Sequence, residues 1–185
     1  MNISVFCASS HPVNEQISCA AEKLGSLLAA KGHTLHYGGS NLGLMGTVSS
    51  AAFSSGGKVV AVIPTFFSDT IINSQPVTQL IRVASMAERK EYLIANSDAF
   101  IALPGGIGTM DEVLEVLVYN QLGPLRDANH CDKPIGLYNP DGFWNPFIEQ
   151  IETMGRNGFY RSGKAPKFIA NADIETLLDR LTVDN

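Results

Sequence analysis

Short apolar runs alternate with longer segments of helical periodicity along nearly the whole chain. The runs Ile3 to Cys7, Thr34 to Tyr37, Lys58 to Ile63, Leu80 to Val83, Ala99 to Leu103, Pro134 to Tyr138 and Lys167 to Ile169 predict strands. Between them, Asn14 to Lys31, Met45 to Phe53, Met86 to Asn96, Met110 to Leu122, Asn145 to Met154 and Ile174 to Leu181 predict helices. Gly32, Gly56-Gly57 and Gly123-Pro124 are read as stops. Strands this apolar need cover on both faces. The expected class is α/β, with a mostly parallel sheet between two helix layers and ligands at the carboxyl ends of its strands. No repeat, low-complexity stretch or linker interrupts the pattern, so residues 1–185 are expected to form one domain. Thr65 to Thr78, with Phe66, Phe67 and Pro76, is longer than a usual connection and reads either as a lid beside the cleft or as an irregular packed loop.

Chemistry concentrates in Pro104-Gly105-Gly106-Ile107-Gly108-Thr109-Met110-Asp111-Glu112, which lies between a strand run and a helix run. Glycines there let a ligand approach the backbone, and the amides of a helix start favour an anion such as phosphate. Asp111 and Glu112 would repel that phosphate, so one of them is expected to serve another part of the same ligand. The spacing Thr109-x-x-Glu112 also fits a capping box. A second cluster, Gly38-Gly39-Ser40-Asn41-Leu42-Gly43-Leu44-Met45-Gly46, follows another strand run, and Ser9-Ser10 follows the first. All three turns fall at strand carboxyl ends, which suggests one cleft. Neither cluster reproduces G-x-G-x-x-G in its required place, and neither supplies the lysine of a P-loop. NAD and a hydrolysed triphosphate are disfavoured; a single phosphate fits better.

Composition narrows the partners. The chain has 185 residues, 45% of them hydrophobic, and a net charge of -5. That is enough to bury a core, and no basic stripe exists for nucleic acid. The N-terminus lacks a signal-peptide pattern and no run approaches a membrane span, so a cytoplasmic protein without membrane contact is expected. Cys7, Cys19 and Cys131 show neither pairing nor metal spacing, and only Cys7 is expected near the cleft.

In Met86-Ala87-Glu88-Arg89-Lys90, helical spacing places Met86 and Arg89 on one face, with Leu93 a turn beyond and Lys90 to the side. Arg89 is then either a snorkelling surface residue or a cation directed into the cleft.

The pairing of Met86-x-x-Arg89-Lys90 with Pro104-Gly105-Gly106-x-Gly108-Thr109-x-x-Glu112 resembles the signature of the LOG ("Lonely Guy") family, the cytokinin riboside 5'-monophosphate phosphoribohydrolases. Val5 to Ser10, Tyr37 to Gly46, Val62 to Pro64, Gln121 to Gly123 and Lys133 to Asn139 resemble the family in the same order. The resemblance implies a Rossmann-like homodimer that hydrolyses the N-glycosidic bond of adenosine-type 5'-monophosphates to free base and ribose 5-phosphate. It implies Arg89 and Glu112 as the catalytic pair. Three departures bear on the substrate: Ala87 replaces a frequent His, no Glu occurs between Thr70 and Asn73 where plant members have one, and Gly123 to Asp132 is longer than usual. Some relatives have been labelled lysine decarboxylases, but a pyridoxal enzyme needs a Schiff-base lysine and Lys90 is the only cleft candidate. A general AMP nucleosidase and a non-catalytic carrier of the molybdenum-cofactor type remain as alternatives.

Residues and resemblance together give one expected mechanism. The phosphate of a nucleoside 5'-monophosphate rests on the amides of Gly105, Gly106, Gly108 and Thr109, with the Thr109 hydroxyl and Ser9, Ser10 or Gly39 completing the cradle. Met86 and Lys90 are further candidates for substrate contact. Glu112 stabilises the sugar cation and activates water, and Arg89 keeps that carboxylate ionised and oriented. No metal or organic cofactor is expected. The helix run Val113 to Leu122 is apolar on more than one face, which calls either for burial beneath Phe143, Trp144 and Phe147 or for a twofold partner.

Overall fold

The computed structural model describes residues 1–10, 14–67, 76–127, 130–160 and 165–183. In chain order these form β1 (Asn2–Phe6), α1 (Glu15–Ala30), β2 (Thr34–Tyr37), α2 (Gly43–Ser54), β3 (Lys58–Pro64), β4 (Gln79–Val83) and α3 (Met86–Ala95). Then follow β5 (Ala99–Ala102), α4 (Ile107–Arg126), β6 (Ile135–Tyr138), α5 (Asn145–Arg156), β7 (Ile169–Asn171) and α6 (Ile174–Val183). Among the described residues the strands make one seven-stranded sheet of order β4-β3-β2-β1-β5-β6-β7. Every pairing in it is parallel, where the sequence led us to expect only a mostly parallel sheet.

The period of two along each strand divides the core. Ile3 and Val5 of β1 face Leu24 and Leu28 of α1, Val48 of α2 and Leu177 of α6. Phe6 points the other way, into Leu93 of α3, Val113 and Val116 of α4, and Phe147 of α5. It stacks there on Phe100 of β5 at 5.6 Å between ring centroids. The Rossmann-like α/β class is therefore realised with three helices on each face. Its strand order reverses between β1 and β5, and in such sheets ligands bind beyond the carboxyl ends at that reversal.

Several element boundaries depart from the sequence reading. β7 lies at Ile169–Asn171 rather than at Lys167 to Ile169, α2 starts at Gly43, and α4 starts at Ile107 and does not stop at Gly123-Pro124. Proline inside a helix forfeits its own amide bond. Here α4 runs on to Arg126, and the Asp127 amide bonds back to the Gly123 carbonyl at 2.9 Å. The Asn120 side chain fastens the same turn to the chain entering β6, accepting from the Lys133 amide at 3.0 Å and donating to its carbonyl at 2.8 Å. Among the described residues no helix is long and apolar enough to cross a membrane.

Candidate active site

Helix α3 begins where the Ser85 hydroxyl caps the Glu88 amide at 3.1 Å and the Glu88 carboxylate returns to the Ala84 amide at 2.8 Å. This start directs the fourth residue, Arg89, inward beside Leu93, towards the end of β2. Arg89 is 5% exposed, which excludes the snorkelling alternative. On α4, Thr109, Glu112, Val113 and Val116 share the inner, buried face. Arg89 Nη2 and Glu112 Oε1 meet at 2.8 Å, with Glu112 only 4% exposed.

The N-cap of α4 is Gly106, and Thr109 is the third helical residue. The capping box that the spacing allowed therefore does not form: a cap precedes its helix, and this one has no side chain. Its place is taken by backbone. The first turn bonds from the Met110 amide to the Gly106 carbonyl at 3.1 Å, so the amides of Ile107, Gly108 and Thr109 have no acceptor within the helix. A Cβ built on Gly106 or Gly108 meets nothing within 4 Å, whereas one on Gly105 would collide with the Thr109 side chain. Gly105 lets Thr109 pack close; Gly106 and Gly108 leave the space above the amides open.

These groups border one cleft of about 380 Å³, within the size range of small-molecule sites. Cys7, Ser9 and Ser10 follow β1, Gly38, Ser40, Leu42 and Met45 follow β2, and Ile63 and Phe67 lie at the end of β3. Met86 and Arg89 come from α3, and Gly106, Gly108, Thr109, Asp111 and Glu112 from the start of α4. The structure thus brings Ser9, Ser10, Met86, Arg89, Gly106, Gly108, Thr109 and Glu112 together. Gly39, Gly105 and Lys90 stand behind the wall. Gly39 adopts a φ of 82° in the turn after β2, which favours glycine whatever the ligand. Lys90 is turned aside, its ammonium 2.7 Å from Glu115 and 2.9 Å from Asp111.

Sequence reasoning named no individual role for Ser40, Leu42, Met45 or Ile63, and named Phe67 only within the segment read either as a lid beside the cleft or as a packed loop. The available signal was positional, since each follows or ends a strand at its carboxyl end. Of the Thr65 to Thr78 segment read as a lid or a packed loop, residues 68–75, and with them the whole Thr70 to Asn73 stretch, lie outside the described residues, as do 128–129 of the longer loop.

Burial pushes the Glu112 carboxyl above its ordinary value, and the Arg89 guanidinium pulls it back only in part. Burial, reinforced by the charge of Glu112, pushes the Cys7 thiol far up, so Cys7 is a neutral wall residue rather than a nucleophile. Hydrogen bonds to Glu115 and Asp111 hold the Lys90 ammonium above its usual range. Among the described residues no three His, Cys, Asp or Glu side chains converge on a metal position, and the cleft wall has no lysine. Pyridoxal phosphate does not fit this donor set, because its Schiff base needs an unpaired lysine and Lys90 is held by two carboxylates.

Known proteins resemble the chain over most of its length. Residues 45–181 match the family model described as "Possible lysine decarboxylase". The chain is 39% identical over 179 residues to the cytokinin riboside 5'-monophosphate phosphoribohydrolase LOG5 of Arabidopsis thaliana, covering 97% of this chain and 76% of that one. To LOG1 of the same plant it is 41% identical over 157 residues, covering 85% and 71%. Among solved structures, the molybdenum cofactor binding protein of Rippkaea orientalis shares the fold at a TM-score of 0.70 and 21% identity, covering 97% of this chain and 94% of that one. Matched along this length and at this identity to its curated relatives, the chain belongs to the LOG family of cytokinin riboside 5'-monophosphate phosphoribohydrolases.

Proposed function

We propose that this chain, acting as a single domain, hydrolyses the N-glycosidic bond of adenosine-type nucleoside 5'-monophosphates, including N6-modified ones, to free base and ribose 5-phosphate. The observation that carries the reading is the buried Arg89–Glu112 pair set beside the open amide end of α4 in one cleft. The α4 amides of Ile107, Gly108 and Thr109, with the Thr109 hydroxyl, receive the phosphate, and Ser9 and Ser10 close the cradle from β1. The apolar side chains Leu42, Met45, Ile63, Phe67 and Met86 receive the base.

The C1'–N bond breaks with its electron pair going to the base nitrogen, which takes up a proton. The ribose is left with oxocarbenium character. Glu112 stabilises that charge and accepts a proton from the water that adds to C1'. Arg89 holds the carboxylate ionised and aimed at the sugar against the pull of its burial.

A panel of nucleoside 5'-monophosphates, assayed for released base, tests the reading. Release from adenosine-type monophosphates, and at least about tenfold less from the same nucleosides without phosphate, is expected. Equal turnover of AMP and N6-modified substrates assigns the broader AMP nucleosidase activity. Tight binding without release assigns a carrier and overturns the hydrolase.

Assembly belongs to the same reading. The inner face of α4 is covered, with Val113, Val116 and Leu117 packed in one core with Trp144 and Phe147. Burial of that kind leaves the outer face untouched. Met110, Leu114, Val118, Leu122 and Leu125, between 39% and 70% exposed, form a stripe at three- and four-residue spacing. The second copy in a twofold dimer covers that stripe.

A further inference from the structure

Gly38 directly follows β2, beneath the guanidinium of Arg89. A Cβ built on it would collide with Arg89 Nη2, lie 3.0 Å from Arg89 Cζ, and lie 3.1 Å from the end of the Met45 side chain. Backbone conformation does not account for the glycine. Gly39 next to it has a φ of 82°, but Gly38 is not among the positive-φ residues, so its φ makes no demand for glycine. Space is the only constraint, and what fills that space is the end of the arginine that reaches Glu112 at 2.8 Å.

We infer that Gly38 is a positioning residue for the reaction: the space left by its missing side chain is the seat of the Arg89 guanidinium, without which the Arg89–Glu112 pair cannot form. The inference rests on the proposed hydrolase reading for its effect on turnover, but not for its geometry. The atoms that a methyl group would displace are the far ends of two flexible side chains, Arg89 and Met45, and no backbone atom approaches as closely. The fold can therefore accept Gly38→Ala while Arg89 swings off its partner. Glu112, 4% exposed, stays where α4 holds it and loses its counter-charge. The amide end of α4 lies on another wall of the cleft and is undisturbed, so phosphate anchoring survives.

The experiment has three arms. In the first, the carboxyl resonance that Glu112→Gln removes is followed by carbon-detected NMR in a pH titration of wild type and Gly38→Ala. Its midpoint is expected to move to higher pH in Gly38→Ala, because a buried carboxylate without its guanidinium takes a proton more readily. An unchanged midpoint overturns the inference. In the second arm, kcat for base release is expected to fall at least about thirtyfold in Gly38→Ala while KM changes less than about threefold. A raised KM with unchanged kcat overturns it.

The third arm covers a single variant that fails to fold. In the Arg89→Ala/Glu112→Gln background the guanidinium is gone and no unpaired buried charge remains, so adding Gly38→Ala is expected to leave Tm unchanged. If the added substitution lowers Tm there, the glycine serves the backbone and the inference falls. A wild-type protein that releases no base defeats the proposed function alone; the titration still decides the role of Gly38.

Discussion

Lys90 Nζ lies 2.9 Å from Asp111 Oδ2 at the rim of the cleft, one residue along α3 and one residue back along α4 from the buried pair of Arg89 and Glu112. Glu115 completes this outer cross-link at 2.7 Å. Its partners are partly solvated, so it contributes little to stability. Lys90→Met is expected to lower unfolding stability by about 0.5–1 kcal/mol and to leave KM for a monophosphate within about twofold. Denaturant melts and steady-state kinetics check this. A tenfold rise in KM would place the ammonium on the substrate phosphate instead.

The inner pair behaves differently because both groups are out of water. Glu112→Gln keeps the shape but loses the charge, and base release is expected to fall by about 10²–10⁴-fold with unchanged circular dichroism. Arg89→Ala leaves a buried carboxylate without a partner, at a cost of about 3–5 kcal/mol if Glu112 stays ionised. Part of that cost is avoided by protonation. Survival of turnover in Glu112→Gln would remove this residue from the chemistry.

The pH dependence follows from the raised carboxyl. Burial lifts Glu112 above its ordinary value of 4.5, so the folded state holds this proton more tightly than the unfolded chain does. Its contribution to stability is fully present below the unfolded value and is lost as pH rises through the higher folded value. In the proposed mechanism the ionised form is the working one, so activity is expected to run the opposite way. The acid limb of kcat/KM is expected above pH 4.5, and an acid limb at or below that value would contradict it.

Gly108 is the second residue of α4 and borders the cleft with open space where a side chain would be. Gly108→Ala is expected to stabilise the helix by about 0.5 kcal/mol and to raise KM for monophosphates by about tenfold, because the methyl group covers the amides. Melting temperature and KM should rise together. A stabilised variant with unchanged KM would move the phosphate elsewhere.

Leu114 is the second residue of the apolar stripe on α4 and is 39% exposed. Leu114→Glu is expected to yield a folded monomer near 19.9 kDa by light scattering, against a dimer for wild type. A wild type that remains monomeric at all concentrations while active would refute the assembly.

Much of the fold follows from patterning that local sequence carries. β2 is Thr34–Tyr37 in both readings, because Gly32 stops α1 before it and its β-branched and aromatic residues, with Leu35 and Tyr37 buried at period two, suit a strand. The strand carboxyl ends, and with them the glycine turns and Ser9-Ser10, were legible for the same reason. The Asx cap at Asn14 and the serine cap at Ser85 set the starts of α1 and α3 within one residue of expectation.

Only tertiary structure decided what each polar residue does there. Periodicity placed Arg89 on the face of Met86 but left open whether that face met solvent or a cleft; the seat beside Gly38 and the carboxylate of Glu112 settle it, and both come from other elements. Lys90 adjoins Arg89 in the chain yet lies about 100° around the helix, where Asp111 and Glu115 claim its charge. Thr109 and Glu112 fitted a cap until Gly106 proved to start α4 three residues earlier than expected. Patterns of period two and 3.6 report which face of an element is buried. They carry no information about the partner across the gap, and in this cleft the partner determines charge state, orientation and role.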